Sequence, residues 1–153
     1  MAFSIARTCD GCSACARRCP VAAITGQVGA PYAILADLCI DCGACGLACR
    51  RNAILTASGQ IAPRLPLAQR PRPVIDSDRC NGCQMCVDFC AFACLRIIGP
   101  RYQGVVALAN ARACVSCGEC AAVCSKGAIA LVSGETAVLP KPFSGLAVGG
   151  EAA

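Results

Sequence analysis

The sequence predicts an α+β chain of two small modules in tandem, each too thin in apolar side chains to stand without something bound to its cysteines. Three observations lead there. Cysteine supplies 17 of the 153 residues, far above ordinary usage. The remaining apolar content is weak: there is no Trp, aromatics are 4 %, and 29 residues are alanine, which buries little area. The chain also repeats itself, with Cys9 to Cys39 and Cys80 to Cys114 as a short period nested inside the longer period from Cys9 to Cys80. Modules of about 75 residues with this composition are marginal without staples or metals.

Taken in order, residues 1–63 form the first module. Short helices are expected near Ala14 and from about Gly43 to Arg50, while Ile24 to Val28 and Tyr32 to Leu35 flank a turn at Gly29-Ala30-Pro31. Residues 64–74 are expected as a linker, because Arg64, Arg70 and Arg72 lie among Pro66, Pro71 and Pro73. Residues 75–132 form the second module, opened by Asp76 and Asp78 as turn starters. Its helices are expected near Gln84 and from Gly118 to Cys124. Its hairpin runs from Leu95 to Ile98 and from Val105 to Leu108, around Gly99-Pro100 and Gly104. Residues 133–153 are Gly, Ala and Pro without periodicity, a flexible or partner-docked tail.

Sixteen of the cysteines fall into four copies of C-x2-C-x2-C-x3-C: Cys9, Cys12, Cys15, Cys19; Cys39, Cys42, Cys45, Cys49; Cys80, Cys83, Cys86, Cys90; and Cys114, Cys117, Cys120, Cys124. Three thiolates at spacing three on a looping backbone can converge on one cavity, as three corners of a four-iron cube require. The fourth is carried away within a helical turn toward another centre. Zinc has no use for a third cysteine at that spacing. A disulfide framework calls for export and an even count, and thioredoxin-type chemistry uses one pair. The spacing is that of [4Fe–4S] binding.

On these motifs the chain resembles two bacterial two-cluster ferredoxins in tandem, a small polyferredoxin, from about Phe3 to Val132. The resemblance implies two tandem bacterial ferredoxin-like (βαβ)2 domains, each binding two [4Fe–4S] clusters. It also implies that the last cysteine of each motif crosses to the sister cluster. One cluster would then be held by Cys9, Cys12, Cys15 and Cys49, and its neighbour by Cys39, Cys42, Cys45 and Cys19. The second domain would use Cys80, Cys83, Cys86 and Cys124, then Cys114, Cys117, Cys120 and Cys90. Four-cluster subunits of molybdenum and tungsten oxidoreductases instead pair the first motif with the fourth and the second with the third. The proline-rich stretch after Cys49 favours sequential pairing, since it suits an extended connector better than a hairpin.

Two departures from the family pattern stand out. Pro follows the last cysteine only at Cys19-Pro20, so the N–H groups after Cys49, Cys90 and Cys124 are free to donate to a cluster sulfur or to backbone. Arg50-Arg51 would raise the potential of the neighbouring cluster, or would simply form a solvated basic face. The seventeenth cysteine, Cys94, falls where the other copies carry Ala23, Ala53 and Ala128. It is either a small buried residue or a spare ligand.

The formal charge of +5 does not indicate nucleic acid. Four clusters at roughly −2 each bring the total to about −3, and no basic stripe is interleaved with aromatics. There is no His for a triad and no glycine-rich nucleotide loop. No apolar run can cross a bilayer, and the segment before Cys9 is too short for a signal-peptide core. The expected protein is cytoplasmic, not an enzyme on its own, and an electron-transfer subunit of a larger anaerobic oxidoreductase complex with redox protein partners. A freely diffusing polyferredoxin is the alternative. A redox sensor or a cluster-storage or assembly protein is the alternative from another class.

Overall fold

A computed structural model of the chain describes residues 2–133; apart from Ser133, the tail expected over 133–153 lies outside the described residues. The elements follow one order twice. First come β1 (Ser4–Ile5), α1 (Ala14–Arg18), β2 (Ile24–Thr25), β3 (Ala33–Ile34), α2 (Ala44–Ala48) and β4 (Ile54–Leu55). After a 3-10 turn at Leu67–Gln69 come β5 (Arg72–Ile75), α3 (Met85–Asp88), β6 (Leu95–Ile98), β7 (Val105–Leu108), α4 (Glu119–Ala122) and β8 (Ile129–Val132).

Among the described residues four sheets form, each of two antiparallel strands, and they join motifs in sequence. β1 pairs with β4, setting Ile5 opposite Ile54, and β2 pairs with β3. β5 pairs with β8, setting Ile75 opposite Ile129, and β6 pairs with β7. Thus the strand entering the first motif of each half is tied to the strand leaving the second. The hairpin expected at Leu95–Ile98 and Val105–Leu108 forms over those residues. The one expected over Ile24–Val28 and Tyr32–Leu35 is reduced to two-residue strands.

The linker expectation needs correction. Arg72 to Val74 are not connector but the first residues of β5, with Pro73 buried opposite Leu131. In a two-stranded sheet every strand has an open edge, where the missing proline N–H costs no ladder bond. The remaining connector is pinned to itself. Arg70 Nε donates to the Leu65 carbonyl (3.0 Å), Arg72 donates to the Leu67 carbonyl (3.1 Å), and Gln69 N–H donates to the Pro66 carbonyl.

The core is as thin as the composition implies. In the first half the buried cluster is Cys15, Ile24, Cys45, Ile54 and Ala62; in the second it is Ile75, Cys86, Cys94, Leu95, Val106, Cys114 and Ile129. An isoleucine or leucine contributes about 1.5–3 kcal/mol on full burial. Two isoleucines cannot offset the ordering of some sixty residues at about 1–2 kcal/mol each. Helices of four and five residues are likewise far below the length that stands alone in water. Both facts leave the thiols as the organising element.

Candidate metal centres

Each motif wraps its cysteines with the same backbone. The residue just before the second cysteine (Gly11, Asp41, Gly82, Ser116) and the one just after it (Ser13, Gly43, Gln84, Gly118) all have φ between 55° and 87°. Left-handed residues on either side of a cysteine curl the backbone N–H groups inward, making a concavity suited to an anion. Gly11 and Gly82 are glycine for a second reason: the tip of the following hairpin lies on them. Gly29 N–H donates to Gly11 O and Tyr102 N–H donates to Gly82 O. A Cβ on Gly11 would stand 2.5 Å from Ala30 N, and one on Gly82 would run into the Gly104 carbonyl.

A third left-handed residue follows the last cysteine of every motif: Ala22 (φ 52°), Asn52 (50°), Ala93 (47°) and Gly127 (56°). It turns the chain so that the next residue clamps the site from both ends. The N–H groups of Ala23, Ala53 and Ala128 donate to the sulfurs of Cys19, Cys49 and Cys124, each at 3.3 Å; in the remaining copy the Cys94 sulfur lies 3.3 Å from that of Cys90. The carbonyls of the same residues accept, at 2.8 Å, from Leu35, Ala6, Asp76 and Ala109, each just ahead of the partner motif. The free N–H groups expected right after Cys49, Cys90 and Cys124 are therefore not the donors. The donors sit four residues beyond the cysteine, and the copy with Pro20 has one too.

The structure brings the predicted sets together. One cavity is lined by Cys39, Cys42, Cys45 and Cys19 with Phe3, Ile24 and Ile34. Another is lined by Cys9, Cys12, Cys15 and Cys49 with Ile5, Tyr32 and Ile54. In the second half, Cys86 feels the charges of Cys80, Cys124 and Cys83, and Cys117 those of Cys114 and Cys90. The last cysteine of each motif thus lies near the triplet of its sister, by cavity lining in the first half and by charge in the second. Among the described residues no group of three or more such side chains is placed to hold a single metal ion.

Burial disfavours thiolate in these cavities and pushes Cys45 up to about 12, and Cys86 and Cys120 up to about 11. Cys42 is also raised, by burial and then by the charges of Cys117, Cys19 and Cys39. Cys117 belongs to the other half of the chain.

Two family models described as a 4Fe-4S dicluster domain match residues 8–54 and 38–94, and a third, described as a 4Fe-4S binding domain, matches residues 112–127. The chain is a ferredoxin-type iron–sulfur protein. The match over 38–94 takes in the second and third motifs, which lie between different sheets in the structure. No curated protein matches the sequence. One similar solved chain belongs to the formate dehydrogenase - heterodisulfide reductase - formylmethanofuran dehydrogenase complex from Methanospirillum hungatei. It is 20 % identical over 80 % of this chain and 47 % of that one, with a TM-score of 0.42. The ferredoxin thus spans about half the length of that neighbour.

Two residues around the ferredoxin's first site have roles that spacing did not reveal. Arg51 Nε donates to Asp10 Oδ2 at 2.8 Å, and Asp10 Oδ1 accepts the Cys12 N–H. The Arg51 guanidinium holds the Asp10 carboxyl below its ordinary range. Because this pair neutralises itself and Arg50 is exposed, the basic pair forms a surface staple between the first and second motifs. The Asp76 expectation holds: its carboxylate accepts from the N–H groups of Asp78 and Arg79. No helix among the described residues is long and apolar enough to cross a membrane.

Proposed function

We propose that this ferredoxin is a non-catalytic electron relay with four [4Fe–4S] clusters in two (βαβ)2 modules, residues 1–63 and 72–132. In this reading Cys9, Cys12, Cys15 and Cys49 hold one cluster, and Cys39, Cys42, Cys45 and Cys19 the next. Cys114, Cys117, Cys120 and Cys90 hold a third, and Cys80, Cys83, Cys86 and Cys124 the fourth. The observation that carries it is the crossover: in both halves the last cysteine of each motif lies beside the triplet of its sister. The group itself supplies reversible one-electron storage at low potential.

The order of the sites supports a relay. Within each half the sites are neighbours, as α1 against α2 and α3 against α4 require. Between halves, the charge of Cys117 bears on Cys42. An electron would pass from the Cys9 site to the Cys39 site, across to the Cys114 site, and on to the Cys80 site. Four stations in series suit distance between two redox sites of a larger oxidoreductase complex better than transport of one electron by diffusion. The cytoplasm, where thiols stay reduced until clusters are inserted, is the compartment this reading implies.

The test is anaerobic purification of the whole chain, with iron and sulfide analysis and EPR of the fully reduced protein. Four clusters, with magnetic coupling reaching beyond the two pairs, is the expected result. Fewer clusters would remove one of the ligand sets. Spectra explained by two isolated pairs would remove the crossing between halves. Affinity isolation from the native cell then separates a built-in subunit, which brings a redox enzyme at stoichiometric yield, from a mobile carrier, which comes alone.

A further inference from the structure

The four copies of the clamp differ at one atom. At the position after the left-handed turn, Ala23, Ala53 and Ala128 are 0–1 % exposed and end in a methyl group. The fourth copy is Cys94, 4 % exposed on the same backbone, and its Sγ lies 3.3 Å from Cys90 Sγ. Sulfurs in contact cannot serve two different iron corners of one cube, since those corners point apart. With Cys90, the crossing cysteine, as the iron ligand, Cys94 is the free thiol of the pair.

We infer that Cys94 is a positioning residue whose S–H donates to Cys90 Sγ and raises the potential of the cluster held by Cys114, Cys117, Cys120 and Cys90. This rests on the ligand sets proposed above. The ligand sulfurs of Cys19, Cys49 and Cys124 each accept one backbone N–H from the residue four positions on. Cys90 instead faces a thiol at 3.3 Å, a donor that the other three lack. A reduced cluster carries one more negative charge than an oxidised one, so any donor to its sulfurs is held more tightly in the reduced state and shifts the potential upward. The extra donor acts on one cluster of four. In the relay order proposed above, that is the cluster receiving the electron across the gap between halves, where a raised potential favours its arrival.

Cys94→Ala is the direct test, because alanine already occupies this position in the other three copies and the fold accommodates it there. EPR-monitored redox titration of the whole chain should show one midpoint moving to more negative potential, the other three unmoved, and iron content equal to wild type. Cys94→Ser, which restores a donor, should return part of the shift. Full iron with no midpoint moved would overturn the inference and leave the ligand sets standing. Loss of one cluster's iron in Cys94→Ala would overturn it by making Cys94 a ligand. Wild-type protein short of four clusters would sink the ligand sets themselves, and that is measured before any variant is made.

Discussion

The left-handed residue after each motif offers a clean measurement of how much backbone strain the clusters hold. Ala22, Asn52, Ala93 and Gly127 occupy one position with φ between 47° and 56°, and all four are exposed, so substitution there changes conformation without changing packing. An L-residue in this region costs roughly 1–2 kcal/mol. Glycine avoids that cost but gives back roughly 0.5–1 kcal/mol in freedom of the unfolded chain. The net gain for Ala22→Gly or Ala93→Gly is therefore about 0.5–1 kcal/mol. Gly127→Ala loses a similar amount, the new methyl meeting only the end of the flexible Arg79 side chain at 3.1 Å. Loss of clusters is irreversible, so the observable is a rate. Followed by the visible absorbance during anaerobic chelator challenge, Ala22→Gly and Ala93→Gly should bleach about two- to fivefold more slowly than wild type, and Gly127→Ala faster by a similar factor. The two glycine variants lie in different halves and should combine additively. Glycine variants that bleach no more slowly, together with an unaffected Gly127→Ala, would show that the turn is not strained and refute the reasoning.

Other consequences are equally direct. A Cβ on Gly46 would stand 2.7 Å from Ala62 Cβ, so Gly46→Ala, carrying an overpacking cost of about 1–3 kcal/mol, should speed loss of the visible absorbance in urea, and Ala62→Gly in the same chain should recover most of it. Gly82→Ala, which drives a methyl into the Gly104 carbonyl, should yield protein short of iron on elemental analysis, whereas Gly59→Ala, whose Cβ meets nothing, should keep its full complement. Arg51→Ala should speed iron release from the first site only at low salt, because an exposed ion pair is screened at about 1 M salt; an effect that persists there would mean the guanidinium acts by packing. Thiols raised to about 11 or 12 by burial are protonated at neutral pH and must release protons to bind iron. Reconstitution of the apo chain should therefore acidify a weak buffer and go further toward completion as pH rises, and a pH-independent yield would contradict the raised values.

Much of the molecule was legible because thiol spacing is a strong signal: the four motifs, the helix starts beside them and the hairpin of β6 and β7 all follow from residues a few positions apart. What lay hidden was long-range or conformational. β1 has two residues, Ser4 and Ile5, too few for any alternation to announce a strand, so its pairing with β4 had no local trace. Pro73 masked β5, since proline argues against a strand except where an edge is open. The left-handed turns at Ala22 and Ala93 were invisible because alanine ordinarily avoids that region; only the four-fold comparison, with Asn52 and Gly127 in register, hints at it. Cys94 was placed in the right register by the repeat, but its contact with Cys90 needed the backbone clamp to be seen.

The exchange of the last cysteine proposed between sister motifs would also set a schedule for synthesis. As the chain leaves the ribosome, the Cys9 site stays one ligand short until Cys49 emerges, whereas the Cys39 site already has its set once Cys45 appears, because Cys19 is waiting. The second half repeats this, with the Cys114 site complete at Cys120 and the Cys80 site only at Cys124. In each half the site begun later is finished first. The earlier one follows four residues later, at Cys49 or Cys124, so in this reading the two sites of a module become fillable almost together.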